Sequence, residues 1–327
     1  MSSKVLDAST GASAGRAPAP QGRAASAARP PARARWARRL PLLPALIFLV
    51  VVTQLPFVAT VVISFMRWNA LDPTNRGFTG VANYQQVFTQ ATLRQSVVTT
   101  IVLTVTVVLV SIAIGLGIAL LLNRAFRGRA VVRTMMIAPF LIVPVAAALL
   151  FKHGIYNPTY GLLNGTITWI GHLFGASSPP QPAWLSIHPK IMVEAQLVWQ
   201  WTPFMMLILL AGLQSRDNEI MEAAHVDGAS PWQTFRYVTL PHLRRYLELS
   251  ALFGCFFILQ NFDAVFTLTS GGLGTANLPY TIYETVFSAH DYGLASAQGV
   301  VVVAGSLIIA TLALRVVSSL LREEVAT

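Results

Sequence analysis

The chain has 327 residues, 54% of them hydrophobic and only 11% charged, with a mean hydropathy of +0.59. A soluble domain of this size could not keep so much apolar surface out of water, so the composition places the chain among multi-spanning membrane proteins. The formal net charge of +10 would suggest nucleic acid or acidic partners for a soluble protein; here the placement of the charge matters more than its sum. One cysteine, Cys255, lies in an apolar run and excludes both a disulfide framework and a cysteine metal site.

Residues 1–37 are Ala, Pro, Ser, Gly and Arg with almost no large apolar groups, which predicts a disordered tail. Leu40 to Met66 has no charge and is too long for a signal-peptide core, so it reads as a first membrane span. A polar, aromatic interval follows, with turn chemistry at Asp72-Pro73 and Arg76-Gly77. Further spans are predicted over about 95–123, 134–151 (broken by Pro139 and Pro144), 195–215, 247–269 and 292–314. The expectation is an all-α, polytopic protein of six transmembrane helices. Of the 23 Lys and Arg residues, only Arg67, Arg76, Arg94, Lys152 and Lys190 fall on one side of such a bundle. The positive-inside rule then puts both termini, and the segment 215–245, in the cytoplasm.

That segment, SRDNEIMEAAHVDGASPWQTFRYVTLPHLRR, is polar yet built to hold a shape. Asp217 or Asn218 can cap a short helix, and Gly228 can end it in a left-handed conformation. Ser230-Pro231-Trp232-Gln233 has the pattern of a capping box with proline at the first helical position. Pro241 is expected to close the unit, giving helix, sharp turn, helix.

Glu222-Ala223-Ala224, Asp227-Gly228-Ala229 and Leu240-Pro241 resemble the EAA loop of ABC importer permeases, with Arg216-Asp217-Asn218 departing where that family usually has Ile-Pro. Phe78, Gly80, Asn83 and Tyr84 resemble the family's FxGxxNY segment, and Gly161 to Asn164 its Gly-Leu-Leu-Asn. Phe262 to Gly272 is similar to a stretch of its sugar-permease branch, and Thr275 to Tyr280 with Ile282-Tyr283 most resembles the polyol permeases of that branch. The resemblance covers residues 38–322. It implies the permease of a bacterial inner-membrane importer for a carbohydrate or polyol. The partners implied are a second homologous permease, two ATPase subunits and an extracytoplasmic solute-binding protein. In that setting Glu222, Ala223, Ala224, Asp227, Gly228 and Pro241 would couple the chain to the ATPase.

No GxxxxGK[ST] phosphate loop and no HExxH occur, so no nucleotide, metal or other cofactor is expected on this chain; ATP and Mg belong to the ATPase partner, and enzyme chemistry is not expected here. Polar groups within spans usually face a cavity or one another. Trp199, Gln200 and Trp201 in the fourth span, with Gln260, Asn261, Asp263 and Thr267 in the fifth, supply the amides, carboxylate and rings that a sugar needs. Hydrogen bonding between neighbouring helices is the competing use of Gln260 and Asn261, and Asp263 could instead be a structural counter-charge. An ion- or proton-coupled secondary transporter is the alternative, but coupling acids are nearly absent from the spans. A scaffold without transport is disfavoured by the polar groups of the fourth and fifth spans.

Overall fold

The structure, a computed structural model, describes residues 42–323; the arginine-bearing tail lies outside the described residues. Two compact units divide after Gln54. The first contributes the beginning of α1 (Leu43–Ser64), an uncharged helix that accommodates Pro56, and the second holds everything from Leu55 onward.

At the end of α1 the chain turns through a short antiparallel pair, β1 (Met66–Arg67) with β2 (Gly77–Phe78). The two turn dipeptides predicted from sequence bracket the single 3-10 turn Pro73–Asn75 between these strands. α2 (Ala82–Thr89) is fastened back onto α1: Asn83 Nδ2 donates to Ser64 O at 2.8 Å and Met66 O at 2.9 Å. The Tyr84 and Ser64 hydroxyls share a 2.6 Å hydrogen bond. The Asn-Tyr pair of this interval is therefore a clasp between two helices.

α3 (Ala91–Asn123) begins four residues before the predicted span and at 33 residues is about 50 Å long, enough to cross a ~30 Å hydrocarbon layer. The third predicted span is a bent pair, α4 (Arg129–Leu141) and α5 (Pro144–Ile155), meeting at 96°. Pro144 forces this break, because a residue before proline is driven to extended backbone and Val143 adopts φ −56°, ψ 132°. The polar stretch that follows carries α6 (Leu162–Leu173) and α7 (Trp184–Ile187).

Asn164 is 1% exposed and holds that stretch together: its Nδ2 donates to Pro158 O and Pro182 O, and its Oδ1 accepts from Trp184 Nε1 at 2.7 Å. Asn164→Leu keeps the volume but leaves the Trp184 Nε1 donor and the Pro158 carbonyl unpaired, while Pro182 O retains the Trp184 backbone N–H. A destabilisation of about 1–3 kcal/mol is expected, read as a lower Tm of the purified chain.

α8 (Pro189–Gln214) starts at a proline in its first turn, six residues ahead of the predicted 195. After α9 (Asn218–Val226) and a turn, α10 runs over Pro231–Leu259, and the chain bends by 49° into α11 (Asp263–Thr269). The fifth predicted span, 247–269, is thus interrupted at Gln260–Phe262. α12 (Leu278–Phe287) and α13 (Tyr292–Glu323) complete the described chain.

α1, α3 and α8 are each long and apolar enough to cross a membrane, and the two bent pairs raise the number to as many as five; α13 is apolar over Tyr292–Ile308. The protein is a mostly helical membrane fold.

Its core is the side-by-side packing of α3 and α8. A Cβ on Gly115 of α3 would lie 3.0 Å from the Met206 backbone nitrogen, so the two helix backbones nearly touch. Thr99 near the start of α3 shares a crevice with Lys190 and Glu194 near the start of α8. The two helices therefore run the same way, and Asn123 and Gln214 lie at one end of the bundle. α10 crosses both, with Gly254 against Met205 and Val108.

Candidate functional site

The segment between α8 and α10 is as ordered as its capping chemistry requires. Asp217 accepts from the Glu219 backbone N–H at 3.0 Å and caps α9. Gly228 adopts φ +75°, and the hydrogen bonds Gly228 N–H to His225 O and Ala229 N–H to Ala224 O close the helix. Ser230 and Gln233 form the expected reciprocal capping box.

Pro241 behaves differently from expectation. It does not close the unit: the helix passes through it, and the chain widens into a π-type turn over Thr234–Thr239 just before it. A proline inside a helix removes one donor and crowds the carbonyl four residues back, and a wide turn relieves both.

Three polar links brace this loop, one within it and two to the bundle. Arg216 Nη1 donates to Thr239 Oγ1, and burial pulls the pKa of its guanidinium below the ordinary arginine value. His242 Nε2 lies 3.1 Å from Gly212 O, and the Ser215 and Tyr246 hydroxyls are 2.7 Å apart. Gly212 has no room for a Cβ, which would fall 2.6 Å from the Tyr246 ring. Loop and helix ends are thereby locked into one piece.

The outward face of the loop is apolar where a solvated loop would be polar: Val226 is 87% exposed and Trp232 67%. Ile220 and Tyr237 are exposed beside them, as are Glu222, Ala223, Asp227 and Gly228; Ala224 is half-buried. Large apolar side chains thus stand in the open on a capped, rigid element.

The predicted solute-path residues separate into two groups. Trp199 packs on Phe151 and lines an apolar groove of about 550 Å³ between α3, α4 and α8. Gln200 is buried and committed to the fold: its Oε1 accepts from Gln196, and its Nε2 donates to Ile142 O, a carbonyl freed at the α4/α5 break.

Gln260, Asn261 and Asp263 gather at the break between α10 and α11. Asn261 Oδ1 accepts from Ala264 N–H at the start of α11, and Asn261 O accepts from Asn277 Nδ2 at 2.6 Å. Gln260 is exposed, and Asp263 and Thr267 are half-buried. The Thr267 carbonyl receives Lys152 Nζ at 2.7 Å.

Between these groups lies a feature the sequence reading did not assemble. Trp201 stacks on Phe257 with ring centroids 5.2 Å apart, Phe140 stacks on Phe204 at 5.2 Å, and Phe253 joins Phe204 and Phe257. Trp201/Phe204 at i, i+3 and Phe253/Phe257 at i, i+4 were readable as two helix faces. That the faces meet is a tertiary fact.

The chain is thus a helical membrane bundle with broken spans, an aromatic strip and a capped, rigid loop between its helices. The model of the family described as "Binding-protein-dependent transport system inner membrane component" matches residues 111–323. The chain is 34% identical over 259 residues to a probable ABC transporter permease of Sinorhizobium fredii, covering 78% of this chain and 81% of that protein. It is 31% identical to the trehalose/maltose transport system permease MalF of Thermococcus litoralis, covering 79% and 85%. Its fold is that of a chain of a bacterial alginate ABC transporter solved with an alginate-bound periplasmic protein: TM-score 0.72, 21% identity, 86% of this chain and 93% of that one. The protein belongs to the family of inner-membrane permease components of binding-protein-dependent ABC importers.

Proposed function

We propose that this chain is one of two homologous permease subunits of an importer for a carbohydrate or polyol. An extracytoplasmic solute-binding protein delivers the solute, and two ATPase subunits dock on the 215–245 loop and hydrolyse ATP with Mg. The chain crosses the bacterial cytoplasmic membrane six times, with the bent pairs and α13 as single crossings and both termini cytoplasmic. Closure of the ATPases moves the loop, and the loop, locked to α8 and α10, switches the path from inward to outward access.

The observation that carries this reading is the exposure of the large apolar side chains Val226 and Trp232 on a fully capped, positive-φ-terminated loop. The solute class follows from rings flanked by amides: sugar C–H faces stack on aromatics, and hydroxyls need carboxylate and amide partners. Trp201 and Phe257 supply the stacking surface, and Gln260, Asn261 and Asp263 the polar one.

The test is uptake and ATP turnover of the reconstituted complex against a panel of sugars, polyols and amino acids. Neutral sugars or polyols are expected to stimulate both. Trp201→Ala should lower uptake about tenfold, and Trp201→Phe far less, because a ring face survives. Stimulation by amino acids alone, or uptake indifferent to Trp201→Ala, would overturn the solute assignment.

A further inference from the structure

At the end of the bundle opposite the docking loop lies a second, polar cavity of about 980 Å³, between α2, the start of α3, α12 and the start of α13. Its floor is buried and hydrogen-bonded: Thr281 Oγ1 donates to Ser96 Oγ at 2.8 Å, and Gln298 Nε2 donates to Thr285 Oγ1 at 3.2 Å. Gln298 is 0% exposed, yet its Oε1 has no partner among the described residues. An unpaired acceptor at the bottom of a polar cavity awaits a donor, since leaving it unpaired is costly.

The rim adds exposed amides, Gln90 and Gln95, and the carboxylates Glu284 and Asp291. Among the described residues, neither lysine, arginine nor an aromatic ring lines the cavity. Amides and hydroxyls both accept from and donate to hydroxyl groups and carboxylates accept from them, whereas two carboxylates without a cation repel an anion.

We infer that this cavity is a binding site for a neutral polyhydroxylated solute, separate from the aromatic strip, in which a solute hydroxyl donates to Gln298 Oε1 and the acidic rim turns away sugar acids. The inference rests on the carbohydrate reading above and adds a second site to it. The site has the chemistry of a waiting position: polar contacts hold the solute, and no ring face grips it.

Cys255 is the only cysteine of this chain and is buried, so with partner subunits freed of reactive cysteines an environment-sensitive fluorophore on Gln95→Cys reports from the rim. In the reconstituted complex without binding protein, trehalose or sorbitol should give a saturable signal change and glucuronate none. Gln298→Leu in this background should raise the half-saturating concentration about tenfold, the loss of one buried hydrogen bond. Gln90→Trp, at the exposed rim and therefore neutral to the fold, should fill the cavity and abolish the signal. The cavity proposal falls, and the carbohydrate reading stands, if the complex takes up sugars but the rim signal is flat or indifferent to both substitutions. An equal response to glucuronate overturns the charge selection. A flat signal together with no uptake of any sugar or polyol sinks both.

Discussion

Replacing Gly228 by proline is expected to reduce solute uptake and solute-stimulated ATP turnover to background, while the membrane bundle still accumulates. Gly228 holds φ +75°, and proline is fixed near −65°, so the substitution cannot be accommodated by a small adjustment. It also deletes the N–H that donates to His225 O at 3.1 Å, one of the bonds that ends α9. The turn that sets α9 against α10 is lost, and with it the relative placement of the exposed Val226 and Trp232. No other atom lies within 4 Å of a Cβ built at this glycine, so Gly228→Ala isolates the backbone term from packing. Alanine in a left-handed conformation costs about 1–2 kcal/mol, and it should leave measurable, reduced transport. The bundle is spared because α3 and α8 pack on each other through residues remote from the loop. Uptake that survives Gly228→Pro would show that the loop's shape does not transmit the ATPase motion.

The loop was legible in the sequence because its determinants are local. A cap reaches two or three residues, as Asp217 to Glu219 and Ser230 to Gln233 do, and a positive φ needs only the glycine itself. The α4/α5 break was legible for the same reason, since Pro144 carries it.

The α10/α11 break was not legible, because Gln260-Asn261-Phe262 contains neither proline nor glycine. The carbonyl of Asn261 is taken by Asn277 Nδ2, 16 residues later, so the break is stabilised by tertiary structure. α12 did announce itself: Asn277 caps it by accepting from the Tyr280 N–H, and Pro279 sits in its first turn. The surrounding loop composition masked that signal. Gln200 could be placed in a span by its sequence, but its hydrogen bonds to Gln196 and to Ile142 O at the α4/α5 break are visible only in the geometry. Pro241 is the converse, a residue expected to stop a helix that the fold instead absorbs in a wide turn.

Gly115→Leu should prevent the folded chain from accumulating, whereas Gly117→Leu, two residues away on the same helix, should leave its fold unchanged. Sequence cannot separate the two positions: both are glycines in a run of Ile, Leu and Ala within α3. Geometry separates them sharply. A Cβ at Gly115 would stand 3.0 Å from Met206 N and 3.2 Å from Met205 Cβ, while at Gly117 nothing lies within 4 Å. Backbone cannot rotate away as a flexible side chain does, so a leucine at 115 must push α3 and α8 apart along their whole contact. Overpacking of this kind typically costs about 1–3 kcal/mol, and more where the clash is with backbone. The pair also carries the 215–245 loop, since Gln214 at the end of α8 leads directly into Ser215 and the Tyr246 bond. A partial defect, such as Gly115→Ala, is therefore expected to lower the Tm of the detergent-purified chain and to weaken coupling together. A Gly115→Leu chain as stable as wild type would mean that α3 and α8 do not hold the close approach on which the rigidity of the loop depends.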